Sequence, residues 1–237
     1  MVLILPVWVL VGFYAAQAIV VGLVSLLDAL NVPLASMNVA VANATLAALI
    51  YVLTLAIVIG VPYLVNKQIT SKSDIGLTRL PTWTDIFLTP AALVAYFILS
   101  TIFIMLATNV LPGFDINQVQ DTGFGHVSVR YEYILAFITL VIIAPIAEEI
   151  LFRGYLYGKL KKFVPVWIAI IVTSLSFGFI HGALNLAVDT FALSIVLCLL
   201  RESTGSIWAS ILLHMAKNGI AFYLLFINPS LLSILVK

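Results

Sequence analysis

Long apolar stretches alternate with short polar segments along the chain. The apolar stretches fall at about 3–27, 40–65, 86–109, 131–158, 166–183, 188–200 and 206–227. A helix of about 20 apolar residues crosses the hydrocarbon core of a bilayer, so the pattern predicts an all-α polytopic membrane protein with about seven transmembrane helices. The sixth stretch is short, and the weakly apolar tail at 229–237 is too short to cross again, which leaves six or eight spans as alternatives.

The composition excludes a water-soluble fold. Of the 237 residues, 63% are hydrophobic and 9% are charged, whereas soluble domains carry about 25% charged residues. The net charge is only +1 and no long basic run is present, so we expect the lipid bilayer as a partner and no nucleic acid. Without an appended polar region or an internal repeat, the chain is expected to form one integral membrane domain, residues 1–237.

The basic residues predict the orientation of the helices. Eight of the eleven lysines and arginines lie between spans two and three, four and five, or six and seven: Lys67, Lys72, Arg79, Arg153, Lys159, Lys161, Lys162 and Arg201. Because basic residues near helix ends stay on the cytoplasmic side, seven spans place the N-terminus in the cytoplasm and the C-terminus outside the cell membrane. The segments 28–39 and 110–130 would then face outward.

Six ionisable residues lie within or at the ends of the apolar stretches: Glu148, Glu149, His181, Asp189, His214 and Lys217. An ionised side chain in hydrocarbon costs at least about 2.5–3.5 kcal/mol, so we expect a polar cavity inside the bundle, with function as the first hypothesis. Asp189 is instead expected to be a helix N-cap at the outer end of span six. Lys217 is expected either to pair with a glutamate or to tune the site.

Three of these side chains are predicted to meet at one depth. The midpoint between Glu148 and His181 falls in the turn at 161–165, so a helical hairpin bent there brings the two residues together. His214 lies roughly 14 Å from its own cytoplasmic turn. Each histidine considered separately is explained equally well by a hydrogen bond between helices, but a shared depth on three helices favours a functional site.

The spacing within APIAEEILFRG distinguishes the two glutamates. Glu149 and Arg153 are four residues apart in the order that favours an ion pair, whereas Glu148 points about 100° away. An interfacial salt bridge explains the motif equally well when it is taken alone. An unpaired carboxylate in a poorly solvated site suits a general base for water, and we expect this role for Glu148. Pro145, just upstream, is expected to open a local kink.

His214 and Asn218 are also four residues apart and share one helical face, so both could donate hydrogen bonds to an oxyanion. Together with the glutamates they complete three motifs on successive spans, Glu148-Glu149-x-x-x-Arg153, Phe177-x-x-x-His181 and His214-x-x-x-Asn218. In this order the motifs resemble the CAAX protease and bacteriocin-processing family, also called Abi, which includes the type II CAAX prenyl endopeptidases. The resemblance covers residues 131–220, which would form the catalytic core.

The resemblance implies a helical membrane peptidase whose site opens toward the cytosol. Glu148 would activate the attacking water and His181 would help to position it, while His214 and Asn218 would stabilise the tetrahedral oxyanion. Glu149, Arg153 and Phe177 would support them. The substrate implied is a membrane-associated peptide or a lipidated protein tail, including a prenylated CAAX-type tail.

The resemblance leaves the use of a metal open. Glu148, His181 and His214 could supply three zinc ligands, with water as the fourth. If Glu148 were a zinc ligand, another residue would have to act as the base, and Glu149 is already engaged by Arg153. We therefore expect no metal cofactor, with zinc as the alternative.

Two other functions would use the same polar cavity. One is a proton-coupled transporter, in which Glu148 and the histidines form a relay, although the inverted repeats common in transporters are not found. The other is a catalytically silent scaffold or immunity protein that binds peptides. Among the three functions, only the peptidase requires Glu148 as a base.

Overall fold

The computed structural model describes residues 3–33, 36–118 and 122–231 and shows an all-helical bundle. The described helices are α1 (Ile4–Ala29), α2 (Val39–Asn66), the short α3 (Lys72–Ile75), α4 (Trp83–Val110), α5 (Arg130–Leu160), α6 (Val166–Phe179), α7 (Leu184–Thr204) and α8 (Trp208–Ile227). Apart from α3 and the 14-residue α6, each is long and apolar enough to cross a membrane. The predicted fold class of about seven membrane helices is confirmed.

The short helix is α6, which corresponds to the fifth predicted span. The prediction that span six is the short one was therefore wrong. Gly182 has a positive φ of 74°, and Ala183 after it is extended. The chain therefore leaves the helical conformation after Phe179 and begins a new helix at Leu184. Residues 180–183, which the hydropathy pattern assigned to the end of span five, lie instead in the turn between α6 and α7.

The helices α5 and α7 form the centre of the bundle. Half of the most apolar window of each is buried, compared with 11–22% in α1, α2 and α4, so the outer helices present most of their surface to lipid. The fully buried side chains Phe152, Leu156 and Leu160 of α5 pack with Leu193 and Leu197 of α7 in one core cluster. A residue near the middle of α5 is therefore held between helices rather than exposed to lipid.

The helix α5 contains π-helical turns at Ile138–Ile143 and Ile150–Leu156, on both sides of the segment Ala144–Glu149. Such turns are rare and often occur at functional sites. The two π-helical turns frame Pro145 and the two glutamates, and the kink expected at Pro145 stays a prediction.

The connection between α2 and α4 packs over one end of the bundle. At Gly158 of α5 the backbone of α3 comes so close that an added Cβ would lie 2.5 Å from the carbonyl oxygen of Asp74. Gly76 accepts hydrogen bonds from Ser206 and Ile207, at the start of α8. We call this end of the bundle the basic end, because most of the lysines lie here. The helices α1, α4, α6 and α8 begin at the basic end, and the helices α2, α5 and α7 end there.

Candidate active site

Glu148 and Glu149 lie side by side near the middle of α5, and both are buried. Glu149 has no exposed surface, and Glu148 is 8% exposed. Their neighbours are supplied by three other helices, α2, α6 and α8, and by the turn that follows α6. The site is therefore assembled from distant parts of the sequence.

Glu149 contacts the guanidinium of Arg153 and the imidazole of His214. Its Oε1 accepts a hydrogen bond from Arg153 Nη1 at 2.9 Å and lies 2.8 Å from His214 Nδ1. The predicted ion pair with Arg153 is present, and both side chains are fully buried. Since a carboxylate only accepts, His214 donates through Nδ1, and its Nε2 is directed elsewhere.

Glu148 has a different set of partners. Its Oε1 accepts a hydrogen bond of 2.6 Å from the hydroxyl of Tyr51 on α2. Its Oε2 lies 3.8 Å from His214 Nε2, beyond hydrogen-bond length. One carboxylate oxygen is thus fixed, and the other faces the imidazole.

Tyr51 is the site residue that the sequence analysis missed. It lies outside residues 131–220 and in no motif. The available signal was a phenol in the middle of the apolar stretch LAALIYVLTLAIV, because a buried hydroxyl at that depth needs a partner.

His181 lies in the turn between α6 and α7 rather than within a span. Its Nδ1 is 2.7 Å from the carbonyl oxygen of Phe177, which can only accept, so Nδ1 donates and Nε2 has no hydrogen-bond partner among the described residues. The ring of Phe177 contacts the His181 and His214 rings edge-on, at 4.8 and 5.8 Å between centroids. The guanidinium of Arg153 lies 4.3 Å from the centre of the same ring, so Phe177 touches a residue of every motif.

Asn218 lies on α8 as predicted, but one of its amide hydrogens is in use. Its Nδ2 donates to the carbonyl oxygen of Leu140 at 2.9 Å, within the first π turn of α5. A π turn pairs a carbonyl with the N–H five residues later, and that residue is Pro145, which has no N–H. Asn218 therefore satisfies a carbonyl that Pro145 leaves free, and its second amide hydrogen remains for another acceptor.

The expectation that Asp189 caps a helix was wrong. Since α7 begins at Leu184, Asp189 lies inside the helix, where it accepts hydrogen bonds from Tyr96 and Ser100 of α4 at 2.7 and 2.6 Å. Lys217 lies 3.4 Å from its second oxygen. Lys217 is thus paired with an aspartate rather than with either glutamate of the site.

The residues as placed do not converge on a metal. Each histidine has Nδ1 bound to an acceptor, an arrangement common in zinc ligands. Within the described parts of the chain, however, no group of three or more His, Cys, Asp and Glu side chains could hold a metal ion.

The buried ion pair generates a prediction about stability. Arg153→Met leaves the Glu149 carboxylate without its guanidinium, and we expect the free energy of unfolding to fall by about 3–5 kcal/mol. Denaturant titration of the purified protein in detergent micelles measures this loss.

The matched control is Lys161→Met. Lys161 pairs with Glu202 at 2.7 Å, and the two side chains are 28% and 37% exposed, so its removal should cost less than about 1 kcal/mol. Equal losses of unfolding free energy in the two variants would show that the Arg153–Glu149 pair contributes no more to stability than the Lys161–Glu202 pair.

The comparisons with known proteins concern the part of the chain that carries the motifs. The family model described as Type II CAAX prenyl endopeptidase Rce1-like matches residues 130–220. Among curated proteins, YdiL of Bacillus subtilis (strain 168), named as a candidate membrane peptidase, is 31% identical over 84 residues. That alignment covers 35% of this chain and 34% of YdiL, so the chain spans about a third of the length of this relative. No solved structure matches the chain.

The matched segment contains Glu148, His181 and His214 but not Tyr51. The resemblance that the three motifs indicated is thereby confirmed: residues 130–220 are similar to the type II CAAX prenyl endopeptidase family and, in part, to a candidate membrane peptidase.

Proposed function

We propose that this chain is an intramembrane endopeptidase that hydrolyses a peptide bond of a membrane-associated substrate with water activated by Glu148. The observation that carries the proposal is the contrast between the two buried glutamates. Glu149 is engaged by Arg153 and His214. Glu148 is anchored through one oxygen, while the other accepts no hydrogen bond from the described residues and faces His214.

The first chemical step needs a base and a second group to orient the water. Glu148 Oε2 takes one proton of the water, and the oxygen attacks the carbonyl carbon of the substrate. His181 suits the orienting role, because its Nδ1 donates to Phe177 and its Nε2 can accept a hydrogen bond from the second hydrogen of the water. Tyr51 holds the carboxylate in place through the other oxygen.

The attack creates a tetrahedral oxyanion, which needs hydrogen-bond donors. Because His214 donates to Glu149 through Nδ1, it can donate to the oxyanion through Nε2 only in the form that carries both protons, and that form is the one proposed for this step. The second amide hydrogen of Asn218 is the other donor. When the C–N bond breaks, the proton held by Glu148 passes to the leaving amine, so protons balance without a further reactant.

The position of the site supports the proposed substrate class. Glu148 is twelve residues before the end of α5 at Leu160, which is about 18 Å along the helix from the basic end. If the basic end faces the cytosol, as the positive-inside rule indicates, the N-terminus is cytoplasmic and the substrate approaches from the cytosolic leaflet. A membrane peptide or a lipidated tail, including a prenylated CAAX-type tail, suits this geometry.

The central prediction concerns Glu148→Gln. The amide cannot take a proton from water, so we expect cleavage to fall by about 10²–10⁴-fold while the protein stays folded. The assay follows hydrolysis of a panel of prenylated and unmodified membrane peptides in liposomes, with size-exclusion chromatography as the folding check.

Glu202→Gln is the matched control, because Glu202 bonds Tyr157 and Lys161 away from the site. It should cleave as the unchanged protein does. Undiminished cleavage by Glu148→Gln would reject Glu148 as the base.

A second prediction concerns Tyr51→Phe. This change removes one hydrogen bond to a carboxylate, worth about 1.5–3 kcal/mol, so we expect kcat to fall by about 10–100-fold, less than in Glu148→Gln. Tyr63→Phe is the control, since Tyr63 is on the same helix and 49% exposed. An unchanged kcat in Tyr51→Phe would separate Tyr51 from the reaction.

A third prediction tests the zinc alternative. Cleavage should continue at the same rate after dialysis against a zinc chelator, because the proposed base and donors are side chains of the protein. Loss of cleavage that added zinc restores would overturn the metal-free mechanism and with it the role of Glu148 as the base.

A further inference from the structure

A cavity of about 630 Å³ opens at the basic end between α1, α2 and α5. Its walls include Leu5 and Trp8 of α1, Val61 and Val65 of α2, and Tyr155 and Lys159 of α5. We call it the basic-end pocket. It combines an apolar interior with cationic side chains, and it is separate from the glutamates and histidines of the candidate active site.

The charges of the basic-end pocket do not cancel. Lys162 is bound to Asp74, and this contact, together with hydrogen bonds from Ser71, lowers the pKa of Asp74 to about 2. Lys162 and Asp74 therefore form a neutral pair near pH 7. Lys159 has its ammonium 4.3 Å from the centre of the Tyr155 ring and forms no ion pair within the described ranges of the chain. The pocket thus carries one unbalanced positive charge.

The apolar walls lie where lipid is expected. Ile4, Val65 and Ile69 line the same pocket and are 67–73% exposed in the protein alone, which is costly unless they meet hydrocarbon. All four tryptophans of the chain lie at or near the starts of α1, α4, α6 and α8, at the basic end, and tryptophan is enriched at the membrane–water interface. The pocket therefore lies at the level of lipid headgroups.

We propose that the basic-end pocket binds one anionic phospholipid, with its phosphate against Lys159 and an acyl chain along Leu5, Trp8 and Val61. The unbalanced cation selects an anion, and basic pockets between membrane helices on this side bind acidic headgroups. The apolar walls require a ligand with a hydrocarbon chain, because a free phosphate ester would contact Lys159 but leave these walls uncovered.

The position of the lipid connects it to the active site. The pocket walls belong to α2 and α5, the same helices that carry Tyr51 and Glu148.

Native mass spectrometry of the detergent-purified protein tests the proposal without any cleavage assay, so its result is independent of the proposed peptidase activity. The protein is incubated with equal amounts of phosphatidylglycerol and phosphatidylcholine of the same chain length. We expect one phosphatidylglycerol to be retained in preference. Lys159→Met removes the charge but keeps a long unbranched side chain, and it should bind phosphatidylglycerol about fivefold more weakly.

Lys161→Met is the matched control, because it removes the same charge from the same turn but does not line the pocket; it should bind as the unchanged protein does. Equal retention of the two lipids by the unchanged protein would overturn the proposal, whether or not Lys159→Met folds. So would undiminished binding by a folded Lys159→Met variant. Displacement of the lipid by an equal concentration of glycerol phosphate would assign the site to free phosphate esters instead.

Discussion

The structure depends on how buried charge is neutralised inside a hydrocarbon solvent. Arg153 and Glu149 have no exposed surface and lie 2.9 Å apart, and removing one charge of such a pair leaves the other uncompensated. The pair fixes the rotation of α5 in the bundle, because both side chains must point inward. It also fixes α8, since His214 reaches the same carboxylate oxygen.

This neutralisation separates the roles of two adjacent, chemically identical side chains. The guanidinium and the imidazole satisfy Glu149, whereas Glu148, turned about 100° around the helix, meets a phenol and the far side of the same imidazole. Phe177 supports the arrangement by packing against Arg153 and both histidines. The polar groups of the site are thus ordered by one ion pair and one aromatic ring.

The backbone of α5 adapts to the same site. Its π turns lie on both sides of the glutamates, and Asn218 bonds the Leu140 carbonyl that Pro145 leaves without a partner. A polar group of α8 that the sequence suggests as an oxyanion donor therefore also has a structural task, since an unpaired carbonyl at this depth is costly. Asp189 and Lys217 show the same rule at a second position, where each neutralises the other between α7 and α8.

The sequence by itself determined the membrane class, the number of helices, and the ion pair of Glu149 with Arg153, because these follow from hydropathy and from spacing within one helix. It also determined which segment resembles the CAAX protease family. The tertiary structure decided the rest: the contact of Tyr51 with Glu148, the pairing of Asp189 with Lys217, and the helix boundary at Gly182. The contacts join residues 97 and 28 positions apart in the chain, so no local pattern of residues could specify them. The boundary depends on a positive φ at Gly182, which the hydropathy pattern does not register.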